Sequence, residues 1–502
     1  MSATATNVNF MGMPVEETVP DAAMVRGVSR SSLLTGRRRV RLQPQTGTSA
    51  SAGSIIQFVL ADSSSLLDLN SVVVTATVQV TGTTTGAAMD DGPSWIRRAT
   101  IALNGTNIDD TDLANKFCNA NIQGGADRAW YNGAGSFAGF WAANPALAVS
   151  GATNTALAVG DLSGAMVAAN ARYALSTANG GGMQLGYPLA LVSRFFATKQ
   201  YLPLSQCGEL VIQLLCANNA EAVFQLPGNS GATYALTNIF LEADFVQPHY
   251  LYQEMLNRVT QLEGEQGMVI PYNAVISAQG QAINGSGQAN IVTSLATNNL
   301  RRVIVTQSFT DSLNSINYPG CSAFPNNGLT GLQWRVGSLY FPSQEATNLG
   351  EIFWMSQSAW NHGEPMHQQN GCIDYNLFSK TTSPSGYQTT SSTYNPALTG
   401  NLPTYSATTG SAAQYWGDSC VLAYGFDNFK GGESLDADGI SVLGQAGSQI
   451  VTLLRIAPYL GTNAATNYTT RAYVGGGITP NIHLERTRYL VLRMGSLRVE
   501  GV

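Results

Sequence analysis

Apolar and polar residues alternate with a period of two through most of this chain. In SVVVTATVQVTG, Val72, Val74, Ala76, Val78 and Val80 fall on one face, while Thr75, Thr77, Gln79 and Thr81 fall on the other. That pattern predicts a strand with one buried and one polar face. SIIQFVL offers Ile56, Phe58 and Leu60 to one side, and GELVIQLLC offers Leu210, Ile212, Leu214 and Cys216. WIRRATIALNGTNID (Trp95–Asp109) predicts a hairpin turning on Asn104-Gly105. A second series starts at GMVIPYNAVIS and runs through LRRVIVTQSF, LQWRVGSLYFP, SCVLAYGF, SQIVTLLRIAPY and RYLVLRMGSLRV. Strands so closely spaced, with no helices repeating between them, predict sandwiches rather than a parallel α/β sheet.

The period changes once, near the middle. Leu251, Met255, Val259 and Leu262 recur at helical spacing, Glu254 sits one turn before Arg258, and Pro248 and Gly264 bound the run. A helix there separates two all-β halves. Each half also holds a long stretch without strand periodicity. Between Ala129 and Ser193 the only charges are Asp161 and Arg172, and between Lys380 and Asp418 there are none. The reading is therefore an N-terminal arm over 1–48, a first β domain over 49–247 with an insertion at about 129–193, a linker helix over 248–266, and a second β domain over 267–502 with an insertion at about 362–413.

Composition adds a hint of assembly. A chain of 502 residues suits two or three domains. Only 11% of residues are charged while 44% are hydrophobic, which points to surface buried between copies. Phe137, Phe140 and Trp141 lie in the first low-charge insertion, where they are expected to form contacts between subunits. The net charge of −6 gives no general basic field, yet residues 1–48 hold six Arg against three acids. Arg37, Arg38, Arg39 and Arg41 form the densest cluster. It suits either acidic patches on a neighbouring subunit or nucleic-acid phosphates, and protein contact is favoured because no aromatic residues interleave for base stacking.

The six cysteines form no CxxC pair and read as reduced core residues. The start, MSATATNVNFMGMPVEE, lacks the basic and apolar segments of a secretory signal, and no apolar run reaches the ~18 residues of a membrane span.

Candidate chemistry is thin. HGEPMH (His362–His367, with Glu364) contains Pro365, which breaks the helix that a paired-His metal site uses, so no metal or other cofactor is expected. Gly417-Asp418-Ser419 with a late His483 resembles an esterase pair, but Pro480 stands where the orienting acid belongs. Gly180–Gly182 and Gly475–Gly477 lack the Lys-Ser/Thr of a phosphate loop. Asp109-Asp110 reads as a solvated turn. No catalytic residues are assigned, and the expectation is a protein that is not an enzyme.

LQWRVGSLYFPSQ (Leu332–Gln344), FFATKQYLPLSQCGELVIQLLCA (Phe195–Ala217) and the strand–helix–strand seam resemble the double jelly-roll major capsid proteins of the adenovirus and tectivirus lineage, most closely those of virophages and polinton-like viruses. The resemblance covers the chain from about Ser51 onward. It implies an all-β fold of two tandem eight-stranded jelly rolls joined by a short helix, each with a long loop insertion. It implies further a homotrimer forming a pseudo-hexagonal capsomer, in a virion assembled inside a host cell. The expected partners are neighbouring capsomers, penton and minor capsid proteins, and packaged double-stranded DNA touched by the arm. The alternative is a carbohydrate-binding or adhesive β-sandwich from a fibre or spike.

Overall fold

The structure is a computed structural model. It describes residues 6–8, 14–16, 34–62, 64–81, 87–126, 130, 133–140, 182–198, 200–225, 231–250, 268–283, 287–295, 297, 299–310, 320–322, 324, 326, 328–360, 378, 420–426, 439–442, 449–456, 478–493 and 496–500.

In the first half the main elements are β1 (Leu34–Leu42), β2 (Ile55–Leu60), β3 (Leu66–Asp68), β4 (Val73–Thr81), β5 (Ile96–Leu103), β6 (Thr106–Asp112), α1 (Ala114–Gly125), β7 (Met183–Pro188), β8 (Tyr201–Pro203), β9 (Leu210–Cys216) and β10 (Thr233–Pro248). In the second they are β11 (Met268–Gln279), β12 (Gly287–Ser294), β13 (Leu300–Phe309), β14 (Leu329–Val336), β15 (Leu339–Ala346), α2 (Leu349–Trp360), β16 (Leu422–Gly425), β17 (Gln449–Ile456), β18 (Ile478–Arg493) and β19 (Ser496–Glu500).

The two halves share one plan. In the first, β1 pairs with β10, β10 with β4 and β4 with β7, facing a sheet ordered β6-β5-β9-β2. In the second, the sheets are β11-β18-β13-β16 and β17 flanked by β12 and β14, with β15 beyond β14. Strand for strand the orders match, all pairs are antiparallel, and each half is a jelly roll. Each roll also turns into a helix after the edge strand of its second sheet: β6 leads to α1 and β15 to α2. Strand periodicity alone missed both helices.

The alternating pattern lands as expected. Val74, Ala76, Val78 and Val80 of β4 are buried, as are Ile56, Phe58 and Leu60 of β2 and Leu210, Ile212 and Leu214 of β9. The β5–β6 turn uses Asn104 and Gly105 at φ 47° and 76°, the left-handed pair that matches the twist of a tight hairpin. Five of the cysteines, Cys118, Cys207, Cys216, Cys321 and Cys420, are free and buried.

Two boundaries differ from the reading by period. The stretch taken as an arm contains β1, which is the first strand of the first roll. Four arginines obscured its alternation, although Val40 and Leu42 pack on the core. The first insertion was carried to Ser193, yet β7 begins at Met183 and pairs with β4 along its whole length. The linker helix and most of the second insertion lie outside the described residues.

The cores interlock. Ile270, Tyr272 and Ala274 of β11, with Leu490 and Leu492 of β18, belong to the first roll's apolar core. Phe117 and Ala120 of α1 belong to the second's. Gly124, near the end of α1, lies flat against the indole of Trp360 at the end of α2, where an added Cβ would sit 2.1 Å from the ring.

Candidate functional site

The described residues concentrate their unusual chemistry in the seam between the rolls. β18 points Ile482 and Leu484 into the second roll's core. Its other face, carrying Thr479, Asn481, His483, Glu485 and Thr487, is equally buried: Phe117 of α1 packs on His483, Arg194 of the turn Arg194–Ala197 reaches Glu485, and β6 lies on the adjoining strand β11. Buried polar groups need partners, and the seam supplies most of them. Glu485 sits between two guanidinium groups, 2.5 Å from Arg302 Nη2 and 3.7 Å from Arg194 Nε. Burial pushes its carboxyl up, but Arg302 and Arg194 outweigh that and hold it at about 2. Arg302 also lies 4.2 Å over the Trp360 ring.

Further contacts cross between the halves. Tyr272 Oη and Arg488 Nη1 each donate to the Ile108 carbonyl at 2.9 Å. The Cys321 amide donates to Asp90 Oδ2 at 2.9 Å, and the Ser322 hydroxyl also donates to Asp90. Lys116, only 2% exposed, donates to Ser308 Oγ at 3.3 Å, and burial lowers its pKa. Asp109 corrects the solvated-turn reading. It is 2% exposed, accepts from Ser193 Oγ, and burial raises its carboxyl to about 6. Asp110, by contrast, is paired with Arg98.

His483 is fully buried. Its Nδ1 lies 2.7 Å from Ser277 Oγ, and burial lowers its pKa to about 3, so the ring is neutral. This Ser–His contact joins a fully buried ring on β18 to a part-buried hydroxyl on the neighbouring strand β11. Ser419, Trp141 and the His362–His367 segment lie outside the described residues. Among the described residues no group of His, Cys, Asp and Glu could hold a metal, and no helix is long and apolar enough to cross a membrane.

The arginine cluster is a built surface. On β1, Arg37 pairs with Asp244 at 2.6 Å and Asp68 at 3.0 Å, Arg38 with Asp62, and Arg39 with Glu242 at 2.9 Å. Arg41 lies 3.7 Å over the Phe240 ring. All four remain more than half exposed, so they still present charge at the surface.

The aromatic candidates separate. Phe137 is 52% exposed. Phe140 is 1% exposed, packs on Trp130 and lies over Gly92 inside the first roll's core. It is consumed within its own chain and has no surface for another, which corrects the expectation of a contact between subunits.

Reading by period missed the seam residues because it assigns any polar face to solvent. A signal was present all the same. In a chain with 11% charged residues, Arg301-Arg302 and Glu485 interrupt strongly apolar strands, where an unpaired charge would be costly.

No protein-family model matches the sequence, and no curated protein matches it. Solved structures do. PBCV-1 VP54, as fitted into a reconstruction of the virophage Sputnik, is 10% identical, with 95% of this chain and 99% of that one covered at a TM-score of 0.53. A chain of the Sputnik virophage structure is 12% identical, covering 97% and 94% at 0.52. The Faustovirus major capsid protein is 7% identical, covering 93% and 92% at 0.52. Likeness at such identities is likeness of fold: this chain has the double jelly-roll fold found in viral major capsid proteins.

Proposed function

We propose that this chain is a viral major capsid protein with a structural role and no catalysis. It self-assembles as homotrimers, six jelly rolls to a pseudo-hexagonal capsomer, and these tile an icosahedral shell around a double-stranded DNA genome. The observation that carries this reading is the duplicated roll. Two β-sandwiches of identical strand order are locked through a buried polar seam into one building block. A catalyst has no need of such a repeat, whereas a shell component uses it to present near-equivalent sides.

Neighbouring capsomers, penton and minor capsid proteins are the corresponding partners, and the virion is the corresponding location. Contact with DNA through the N-terminal region is the weaker part, because Arg37, Arg38 and Arg39 already face carboxylates of their own chain. Light scattering on the purified protein tests the core of the proposal. A mass three times the 53.1 kDa chain is expected, with shells or sheets visible by electron microscopy at high concentration. A stable monomer under all conditions would overturn it.

A further inference from the structure

One patch of the seam holds polar groups that the protein itself does not answer. Thr306 on β13 lies directly opposite Asn481 on β18 in the strand register, with Ser308 and His483 two residues along on the same face. Lys116, in the first turn of α1, closes the patch from the first roll. Its Nζ donates to Ser308 Oγ at 3.3 Å, and the neighbouring Phe117 ring packs on His483 with centroids 5.7 Å apart. All five polar residues are at most 2% exposed.

Three atoms of the patch, Thr306 Oγ1, Asn481 Oδ1 and His483 Nε2, have no hydrogen-bond partner among the described residues. Among the same residues, no carboxylate forms an ion pair with Lys116. Glu221 is taken by Arg97, Glu485 by Arg302 and Arg194, and Asp90 by the amides of Cys321 and Ser322 and the Ser322 hydroxyl. A buried ammonium without a counter-charge is costly, and burial alone pulls Lys116 towards its neutral form. Its position adds to that cost: the first turn is the positive end of a helix, and here it carries no acid.

The unmatched groups can all donate. When neutral His483 accepts from Ser277 at Nδ1, its proton is on Nε2. Asn481 meets Ser308 Oγ at 3.2 Å. With its amide turned end for end, Oδ1 accepts from the Ser308 hydroxyl and Nδ2 takes the unmatched place. Thr306 adds an O–H. We propose that this enclosed patch binds one small monovalent anion, chloride, between Lys116 of the first roll and Thr306, Asn481 and His483 of the second. The ion supplies the counter-charge that Lys116 lacks and ties α1 to β13 and β18. A single-atom ion suits a site walled by side chains with almost no exposure.

The test uses the full chain, dialysed into sodium chloride or sodium gluconate at equal ionic strength. Tm should be higher in chloride, by about 1–2 °C for each tenfold rise in chloride above its dissociation constant. Lys116→Met, which removes the cation and keeps an unbranched chain, should erase that difference. Thr306→Val removes one donor at nearly constant shape and should weaken the response, which keeps the test decisive if the Met variant does not fold. Crystals grown in sodium bromide should show anomalous scattering beside Lys116 Nζ. Equal Tm values in the two salts, a chloride response that either variant keeps in full, or no bromide signal at Lys116 would overturn the proposal and leave a neutral lysine in its place.

Discussion

Replacing Glu485 with Gln removes one negative charge from the seam and little else, since size and hydrogen-bonding capacity are nearly kept. The carboxylate is 5% exposed and is shared by Arg302 and Arg194, which come from different rolls. A carboxyl held at about 2 against an ordinary 4.5 contributes about 3 kcal/mol at neutral pH. Because the folded value is the lower one, that stability is fully present above pH 4.5 and is lost as pH falls towards 2. The variant also leaves two cations without their counter-charge, for which the general cost is about 3–5 kcal/mol. For rolls of this size that corresponds to a Tm lower by about 10 °C. Calorimetry at one fixed protein concentration measures it, since association would otherwise move Tm. The gap between parent and variant should be wide at pH 7 and narrow towards pH 2.5, where the parent's own carboxyl takes up a proton. Adding Arg302→Met should recover part of the loss, as neighbouring charges do not act additively. A gap below about 1 kcal/mol at pH 7, or one unchanged at low pH, would refute the electrostatic account of the seam.

Deleting residues 1–33 should leave both rolls folded, whereas deleting 1–42 strips β1 from β10 and should abolish soluble expression. A stable, trimeric 43–502 chain would show that β1 is dispensable. Phe140→Ser should cost about 3–5 kcal/mol in thermal unfolding of the first roll, with the oligomeric mass measured by light scattering unchanged. Asp109→Asn should stabilise the protein by about 2–3 kcal/mol at pH 8 and hardly at all at pH 3.5. The sign follows from its raised value of about 6: the charged form burdens the fold above that pH, and the burden is gone below the ordinary 3.8. Urea titrations at the two pH values would decide the last case.

Much of the fold was legible, because a period of two in Val72–Val80 or Leu210–Cys216 admits few alternatives once one face is apolar. What period could not show was the use of the other face. Thr479, Asn481, His483, Glu485 and Thr487 read as a solvated side, and only the packing of α1 turns them inward. β1 was misplaced for a related reason. Its arginines look like a loose basic tail until Asp62, Asp68, Glu242 and Asp244, distant in sequence, are brought opposite. The helices α1 and α2 were hidden because both are short and largely buried, so neither shows a clean polar stripe. Phe140 was assigned to a neighbour because an apolar residue in a Gly-rich stretch gives no hint of which core it serves.

The meeting of Gly124 with Trp360 has a consequence for how such a chain can change over time. Both long insertions leave the framework just beyond these two residues, from neighbouring points at one end of the double roll. Residues added between 141 and 181, or between 361 and 377, enter between described elements rather than within a strand, whereas a change at Phe140 reaches the first roll's core. On the proposed capsid role, that end is where the sequence can vary without altering the strand pairing of either roll. The same separation makes it the natural place to graft a foreign peptide for display.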